Sequence, residues 1–177
     1  MEKYFSELVM RRQSCRDFND KPLSKDVVEK IISLSLNAPS ACNSQPWKVY
    51  QVLEEEKVKE VAKSLQENGH NLFTDKAKAF IALAEKDATL KESISVRFDR
   101  NHFVKYDIGE LIAYITLSAE SMGVSSCIIG WINQEKLKRA INMPDGEICN
   151  IVIALGYSDI PTREKKRKPQ EEMIVRV

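Results

Sequence analysis

The order of the apolar segments is the feature that most constrains how this chain of 177 residues can fold. Segments of strand length and strand-like composition occur at residues 47–53, 77–84, 126–129 and 148–157. Stretches with the apolar spacing of helices separate them, but strand and helix do not alternate as regularly as a parallel sheet of βαβ units requires. We therefore predict an α+β fold rather than a doubly wound parallel sheet.

Apolar periodicity and capping residues place the predicted helices. Ser24 is a candidate N-cap for a helix that Pro39 closes, because the residue before a proline is driven out of the α region. The longest apolar helix is predicted over residues 107–122, and Gly123 ends it. The remaining predicted helices cover residues 2–12, 57–65 and 135–141.

Four other segments have less regular patterns. Residues 66–76 are polar and turn-rich and are predicted to form a loop, whereas residues 86–105 are charged and fit either a helix or a mobile loop. A charge run at residues 162–168 precedes the apolar, β-prone end MIVRV at residues 173–177. Because such an end is unstable in solvent, we expect it to add as an edge strand to a sheet, of this chain or of a partner.

Charge and cysteine content argue against several classes of function. The 27 lysines and arginines nearly balance the 26 acidic residues, so there is no excess charge to bind nucleic acid or an anionic membrane. Four separated cysteines and only two histidines lack the spacing of a zinc site, and no metal is expected. No apolar run approaches the ~20 residues of a membrane span and no signal peptide is evident, so we expect a cytoplasmic protein with free thiols.

The first candidate site is a basic cluster that follows the N-terminal helix. Arg12 and Arg16 flank the hydroxyl of Ser14. Two guanidinium groups and a hydroxyl can hold a phosphate and a nearby anionic ring edge, because charge-assisted hydrogen bonds are about twice as strong as neutral ones. A solvated basic face is the alternative interpretation of the same residues.

The second candidate site is the irregular link at residues 38–47, with the sequence APSACNSQPW. Its Asn43 and Gln45 offer both donors and acceptors, which suits the amide-like edges of a heterocycle or the hydroxyls of a polyol. A turn punctuated by two prolines, with Trp47 in the core, explains the link without any ligand. The residues of the link alone leave both interpretations open.

Taken in order along the chain, the motifs resemble those of the nitroreductase family of FMN-dependent oxidoreductases. The first two are Arg12-x-Ser14-x-Arg16-x-Phe18 and Pro39-Ser40-x-x-Asn43-x-Gln45-Pro46-Trp47. The later ones are Asp107-Ile108-Gly109, Gly123, Cys127-Ile128-Ile129-Gly130, Gly156-Tyr157 and Lys165-x-Arg167-x-Pro169. Each motif alone is weak, but their order over nearly the whole chain supports the resemblance.

The resemblance implies an intertwined homodimer of α+β subunits, each with a central, mostly antiparallel sheet flanked by helices. FMN would bind at the subunit interface, with NAD(P)H as the reductant. A single domain over residues 1–177 is implied, with residues 162–177 as a C-terminal extension that reaches the partner subunit. The implied partners are a second copy of this chain and a small planar electron acceptor, without nucleic acid or membrane.

Family roles can be carried over by position to residues of this chain. Arg12 and Ser14 resemble phosphate and ribityl ligands, and Arg16 resembles the cation beside the N1/O2 edge of the ring. Lys165 and Arg167 resemble a late basic pair that closes on the phosphate. The full implied cofactor-binding set is Arg12, Gln13, Ser14, Arg16, Pro39, Ser40, Asn43, Gln45, Ile129, Gly130, Lys165 and Arg167.

Within this set, residues 39–45 are implied to reach the flavin bound mainly by the other subunit. Ile129 and Gly130 resemble the strand end whose backbone faces the N5/O4 side of the ring. Gln13 stands where the family often has another basic or imidazole side chain. Asn68, Asn71 and Lys76 are the possible counterparts of a mid-chain Asn and Lys that approach the flavin pyrimidine in longer members.

The activity implied by the resemblance is a ping-pong transfer of two electrons. NAD(P)H reduces FMN and departs, and a nitroaromatic, quinone or similar planar acceptor is then reduced. No catalytic side chain is required, because the chemistry occurs at N5 of FMN. The candidates to cover the ring are Phe73, Phe98, His102 and Phe103.

Two other functions are compatible with the same sequence. One is a flavin-binding sensor or carrier without significant turnover, which would need the same phosphate and ring ligands. The other is an α+β interaction domain whose basic clusters are surface charge.

Overall fold

Four strands form one antiparallel sheet in the computed structural model, which describes residues 2–177. The strands are β1 (Trp47–Val52), β2 (Ala79–Glu85), β3 (Ser125–Ile129) and β4 (Ile148–Gly156). Their order in the sheet is β1-β2-β4-β3, and each neighbouring pair is antiparallel. The two longest strands, β2 and β4, are thus central in the sheet, whereas β1 and β3 lie at its edges.

Seven α-helices occur among the described residues. They are α1 (Glu2–Arg11), α2 (Lys25–Ser35), α3 (Glu55–Leu65), α4 (Glu92–Ser95), α5 (Val104–Ser121), α6 (Gln134–Ile141) and α7 (Gln170–Met173). The α2 helix begins as predicted, because Ser24 Oγ accepts a hydrogen bond from the Val27 amide at 3.4 Å. Met1, the first residue of the predicted 1–177 domain, lies outside the described residues.

Helices cover both faces of the sheet. Successive side chains of a strand point to opposite faces, so Phe80 and Ala82 of β2 belong to the core under α3 and α6, whereas Ile81 and Leu83 belong to the core under α2 and α5. The prediction of an α+β fold with an antiparallel sheet flanked by helices is confirmed.

The segment after α1 is fixed against the edge strand β3. Ser14 forms a parallel bridge to Ser126, and the Cys15 amide donates to the Ser126 carbonyl at 2.9 Å. Phe18 then packs directly against Gly156. A Cβ atom at position 156 would lie 2.8 Å from Phe18 Cδ1, so only glycine fits there. The basic cluster around Arg12 is thereby attached to the rigid sheet.

Two segments that lacked a clear sequence period contain short helices. Residues 66–76, predicted as a loop, form two 3₁₀ turns at Glu67–Gly69 and Leu72–Lys76. Between residues 86 and 105 the only regular elements are α4 and the start of α5 at Val104, three residues before the predicted start. The early start follows from the Asp107 amide, which donates to the Phe103 carbonyl at 3.0 Å.

The strand expected at residues 173–177 is not formed within this chain. The α7 helix occupies Gln170–Met173, and residues 174–177 belong to none of the strands that the structure describes. Two acidic residues, Glu171 and Glu172, lie in the first turn of α7, where their negative charge interacts favourably with the positive end of the helix dipole. Val175 is 85% exposed, so the apolar end remains uncovered in a single chain.

Candidate functional site

Basic side chains from both ends of the chain meet at one groove. Arg12, Lys165 and Arg167 line this groove of about 560 Å³, here called the basic groove. The rest of its wall is mainly small or apolar and consists of Val9, Met10, Gly109, Ile112, Ala113, Thr116, Leu117 and Ile128. Three of the predicted phosphate ligands are therefore close together, although 153 positions separate Arg12 from Lys165 in the sequence.

Lys165 is held against the C-terminal end of α1. Its Nζ atom donates to the carbonyl oxygen of Val9 at 2.9 Å and also to that of Arg12. Carbonyl oxygens at a helix C-terminus lack intrahelical partners, and a cation there complements the helix dipole. Partial burial, together with the nearby charges of Arg12 and Arg167, lowers the pKa of Lys165.

Arg163 is a basic residue of the site that the sequence analysis missed. Its backbone amide and its Nε atom both donate to Gln13 Oε1 at 3.1 Å, and its Nη2 atom donates to the Ser14 carbonyl at 2.8 Å. Gln13 in turn donates through Nε2 to the Pro161 carbonyl at 3.2 Å. Arg163 belongs to the charge run at residues 162–168, and that run was the available signal.

Arg16 lies in a second, smaller hollow of about 130 Å³ that it shares with Gln13, Ser14 and Arg163. It does not line the basic groove. Burial raises the pKa of the Cys127 thiol on β3, while the charges of Arg16 and Arg12 oppose that change. Both guanidinium groups therefore lie near the same part of β3.

The site cations have no carboxylate partner among residues 2–177. None of the ion pairs among the described residues includes Arg12, Arg16, Lys165 or Arg167. Arg11, the neighbour of Arg12, pairs instead with Glu120 at 3.1 Å. The groove therefore suits a ligand that has both an anionic group and an apolar part, because the cations can bind the anion and the apolar wall can contact the rest.

The second candidate cluster forms a strained turn between α2 and β1. Cys42, Asn43 and Gln45 have φ angles of 54°, 53° and 49°, in the left-handed region that non-glycine residues rarely adopt. Ser40 Oγ accepts from the Gln45 amide at 2.9 Å, which closes the turn. The side chains of Asn43 and Gln45 are exposed, as is Pro39, so this rigid turn presents them to a ligand or a partner.

The turn and the basic groove are separate in one chain, because no residue of the turn lines the groove. At the end of β3, Ile129 is buried and Gly130 is exposed, and their neighbour Ile128 lines the groove. Of the predicted set, one chain therefore brings Arg12, Lys165 and Arg167 together at the basic groove, with β3 represented by Ile128 rather than by Ile129 or Gly130. Residues 39–45 lie outside it.

Three of the four aromatic candidates for covering the ring form one cluster. The ring centroid of His102 lies 4.8 Å from that of Phe98 and 4.7 Å from that of Phe103. Phe73 instead contacts Phe18 at 6.4 Å and packs against the core between the sheet and α3. It is therefore not part of this aromatic cluster.

The mid-chain polar candidates have different surroundings. Asn71 donates through Nδ2 to the Leu65 carbonyl at 3.0 Å, so it closes the end of α3. Asn68 is exposed with a left-handed φ of 55°. Lys76 pairs with Asp17 at 3.4 Å, and it is thus the candidate that lies against the N-terminal segment.

The cysteines are free thiols, with Cys15 buried and Cys42 exposed. Burial raises the pKa of Cys149 to about 11, so it is not a nucleophile at neutral pH. Residues 2–177 contain no group of three or more His, Cys, Asp or Glu side chains arranged to hold a metal ion. Nor does any helix in the described part of the chain have the length and apolar character needed to cross a membrane.

Comparison with known proteins identifies relatives over almost the full length. The chain is 25% identical to the iodotyrosine deiodinase of Thermotoga neapolitana, over 98% of this chain and 97% of that protein. It is 23% identical to the NAD(P)H FMN reductase of Bacillus subtilis, over 90% of this chain and 68% of that protein.

The fold also has counterparts among solved structures. A nitroreductase family protein from Streptococcus pneumoniae superimposes with a TM-score of 0.82 at 23% identity, covering 98% of this chain and all of that one. The sequence model of the nitroreductase family matches residues 9–157, most of the chain. This match spans the basic cluster, the strained turn, α5 and the whole sheet, and the chain belongs to the nitroreductase family.

Proposed function

We propose that this protein is an FMN-dependent oxidoreductase that transfers two electrons from NAD(P)H to nitroaromatics, quinones or similar planar acceptors. Membership of the nitroreductase family, together with the FMN reductase among its relatives, supports an oxidoreductase with FMN as cofactor and NAD(P)H as reductant. We further propose that it acts in the cytoplasm, where NAD(P)H is available.

The observation that carries the proposal is the group of cations on the basic groove that have no carboxylate partner in the described part of the chain. FMN combines a phosphate of about −2 charge with a flat, largely apolar ring. Arg12, Lys165 and Arg167 suit the phosphate, because charge-assisted hydrogen bonds to phosphate are strong. The small and apolar residues of α5, such as Gly109 and Ala113, suit the ring. The residues present therefore fit FMN.

The protein's contribution is binding, orientation and charge. When bound, FMN supplies the two-electron chemistry, so no side chain is needed as a catalytic acid. Arg12, Lys165 and Arg167 would hold the phosphate, and Ser14 would offer a hydroxyl to the ribityl chain. Arg16 would supply a fixed positive charge for the negative charge that the ring gains on reduction, and a fixed charge of this kind stabilises such a change without reorganisation.

We propose that the second half of the site comes from the partner subunit of a homodimer. Pro39, Ser40, Asn43 and Gln45 form an ordered, exposed turn away from the basic groove of their own chain, as a contribution in trans requires. In the assembled site, Ile129 and Gly130 would present the end of β3 to the ring.

Exposed apolar residues support the homodimer. On α1, Phe5 is 59% exposed and Met10 is 62% exposed, and on α5 Tyr106 is 66% exposed. Surface patches of large apolar side chains mark interaction sites. We propose that the chain is a single domain whose residues 162–177 form an extension, and that its uncovered end packs on the partner subunit.

Steady-state kinetics test the proposed activity. We expect FMN-loaded protein to oxidise NAD(P)H when menadione or a nitrofuran is present, and the double-reciprocal plots at several acceptor concentrations should be parallel, as a ping-pong order requires. Intersecting plots would contradict that order. If FMN binds but neither acceptor supports NAD(P)H oxidation, the protein is a flavin-binding sensor or carrier instead.

A further inference from the structure

Asp107 is a buried acidic residue to which neither the resemblance nor the proposed mechanism gives a role. It lies in the first turn of α5 and is only 4% exposed. Its Oδ1 atom accepts a hydrogen bond from the Ala41 amide at 3.0 Å. Its Oδ2 atom is buried without a hydrogen-bond partner among the described residues. Burying a carboxylate is costly, so its retention here requires an explanation.

The Ala41 amide begins the strained turn at residues 41–45. Left-handed backbone conformations at non-glycine residues persist only where the surroundings hold them, and such strain is concentrated at functional sites. Two of the contacts that hold the turn come from its own hydroxyls, since Ser40 Oγ accepts from the Gln45 amide and Ser44 Oγ accepts from the Thr89 amide at 2.6 Å.

The contact from Asp107 differs from these two in origin. It comes from the helix that also lines the basic groove through Gly109, two residues further on. Leaving a partly buried amide without an acceptor is costly, so the Ala41 amide depends on the oxygen that Asp107 supplies. It ties the first amide of the turn to the rigid core between α2 and α5.

We propose that Asp107 is a positioning residue that fixes the turn through the Ala41 amide, so that Asn43 and Gln45 are presented to the flavin in a defined geometry. This inference rests on the proposed function, because it takes the turn to be a flavin ligand. Asp107 itself touches neither flavin nor acceptor; it acts through the backbone.

Three variants separate this role from a general effect on folding. Asp107→Ala removes the acceptor, and Asp107→Asn keeps an oxygen that accepts from the Ala41 amide but removes the charge. Ala41→Pro removes the donor and leaves Asp107 in place, and the extended backbone of Ser40, with φ −153° and ψ 154°, is compatible with a proline that follows it. Glu110→Gln on the exposed side of α5 is the matched control.

The first measurement is the FMN dissociation constant from the quenching of flavin fluorescence. We expect Asp107→Ala to weaken FMN binding about tenfold or more, and Asp107→Asn and Glu110→Gln to stay within about threefold of the natural protein. Ala41→Pro should match Asp107→Ala, and the double variant should be no worse than either, because both remove one bond. Equal losses for Asp107→Asn and Asp107→Ala, or additive losses in the double variant, would overturn the proposal.

The second measurement is amide hydrogen exchange of the peptide covering residues 38–47 in protein without FMN. Exchange should accelerate in Asp107→Ala and in Ala41→Pro, while the peptides of β2 and β4 stay protected. Unchanged exchange in the turn would refute the positioning role whether or not FMN binds. Failure of the natural protein to bind FMN refutes the proposed function alone. If Asp107→Ala does not fold, Ala41→Pro reports on the same bond.

Discussion

Arg163 donates a hydrogen bond from Nη2 to the carbonyl oxygen of Ser14 at 2.8 Å, across 149 positions of sequence. The same guanidinium and its backbone amide both bind Gln13 Oε1. The backbone of the N-terminal basic cluster is thus held by the C-terminal segment, and the site requires both ends of the chain.

Arg163→Ala should therefore weaken FMN binding even though the side chain acts mainly on the protein backbone. Losing charged hydrogen bonds worth about 1.5–3 kcal/mol corresponds to a tenfold to hundredfold rise in the FMN dissociation constant. Lys166→Ala, which removes an exposed neighbouring cation, is the control and should change affinity little. Equal FMN affinity in the two variants, measured by fluorescence titration, would remove Arg163 from the site.

Arg12→Ala tests the phosphate ligand directly. We expect a loss of about 1.5–3 kcal/mol in FMN binding, again tenfold to hundredfold in the dissociation constant. Arg11→Ala is a close control, because Arg11 pairs with Glu120 and does not line the basic groove. Isothermal titration calorimetry with FMN distinguishes them, and a similar loss in both would indicate a general effect of surface charge.

The uncovered C-terminal end makes the dimer sensitive to truncation. Deleting residues 170–177 removes Val175, Val177 and the α7 helix, whose apolar side chains are exposed in a single chain. We expect the dimer dissociation constant to rise at least tenfold in sedimentation equilibrium, since burial of apolar surface drives association. The double variant Glu171→Ala/Glu172→Ala keeps the apolar end and should dimerise normally. An unaffected dimer after deletion would show that the tail is not part of the interface.

Glu147 gives the protein a defined acid sensitivity. It accepts a hydrogen bond from the Tyr50 hydroxyl and lies 3.2 Å from Lys48 Nζ and 3.1 Å from Lys86 Nζ. These contacts, Tyr50 first, lower the pKa of Glu147 from 4.5 to about 2. A carboxylate with a lowered folded-state pKa stabilises the fold fully above its unfolded pKa of 4.5, and this contribution is lost as the pH falls from there toward about 2.

Glu147→Gln is the variant that tests this contribution. At pH ~7 it should lower the free energy of unfolding in urea by about 1–3 kcal/mol, because partly buried donors lose a charged acceptor. The difference from the natural protein should shrink as the pH falls through the window below 4.5. Glu110→Gln, on an exposed helix surface, should show no such dependence. A difference that is constant with pH would contradict the assignment.

Local patterns in the sequence were sufficient to predict most of the fold. The Ser24 cap, the apolar run of β2 and the apolar face of α5 are each determined by residues close together in sequence, and each is found close to its predicted position. The tail shows the opposite case. Its residues 173–177 are β-prone, but a strand requires a partner for its backbone groups, and in the described residues they pair with neither edge strand of the sheet.

The sequence was sufficient to predict the part of the candidate site that consists of charged motif residues. Arg12, Lys165 and Arg167 meet at one groove, as expected for phosphate ligands. Arg163 was missed because it lies in a run of charged residues, and such runs are usually solvated surface. Only its tertiary hydrogen bond to Ser14 distinguishes it from its neighbours. The burial of Asp107 and its bond to Ala41 depend on the packing of α5 and α2, which no local pattern specifies.

The visible absorption spectrum of the purified protein tests most directly the claim that this chain binds FMN and reduces it with NAD(P)H. We expect protein reconstituted with FMN to keep a flavin spectrum after gel filtration, and anaerobic NADH or NADPH to bleach it. A colourless protein whose melting temperature does not rise with added FMN would contradict the claim, as would a flavin spectrum that neither nucleotide bleaches.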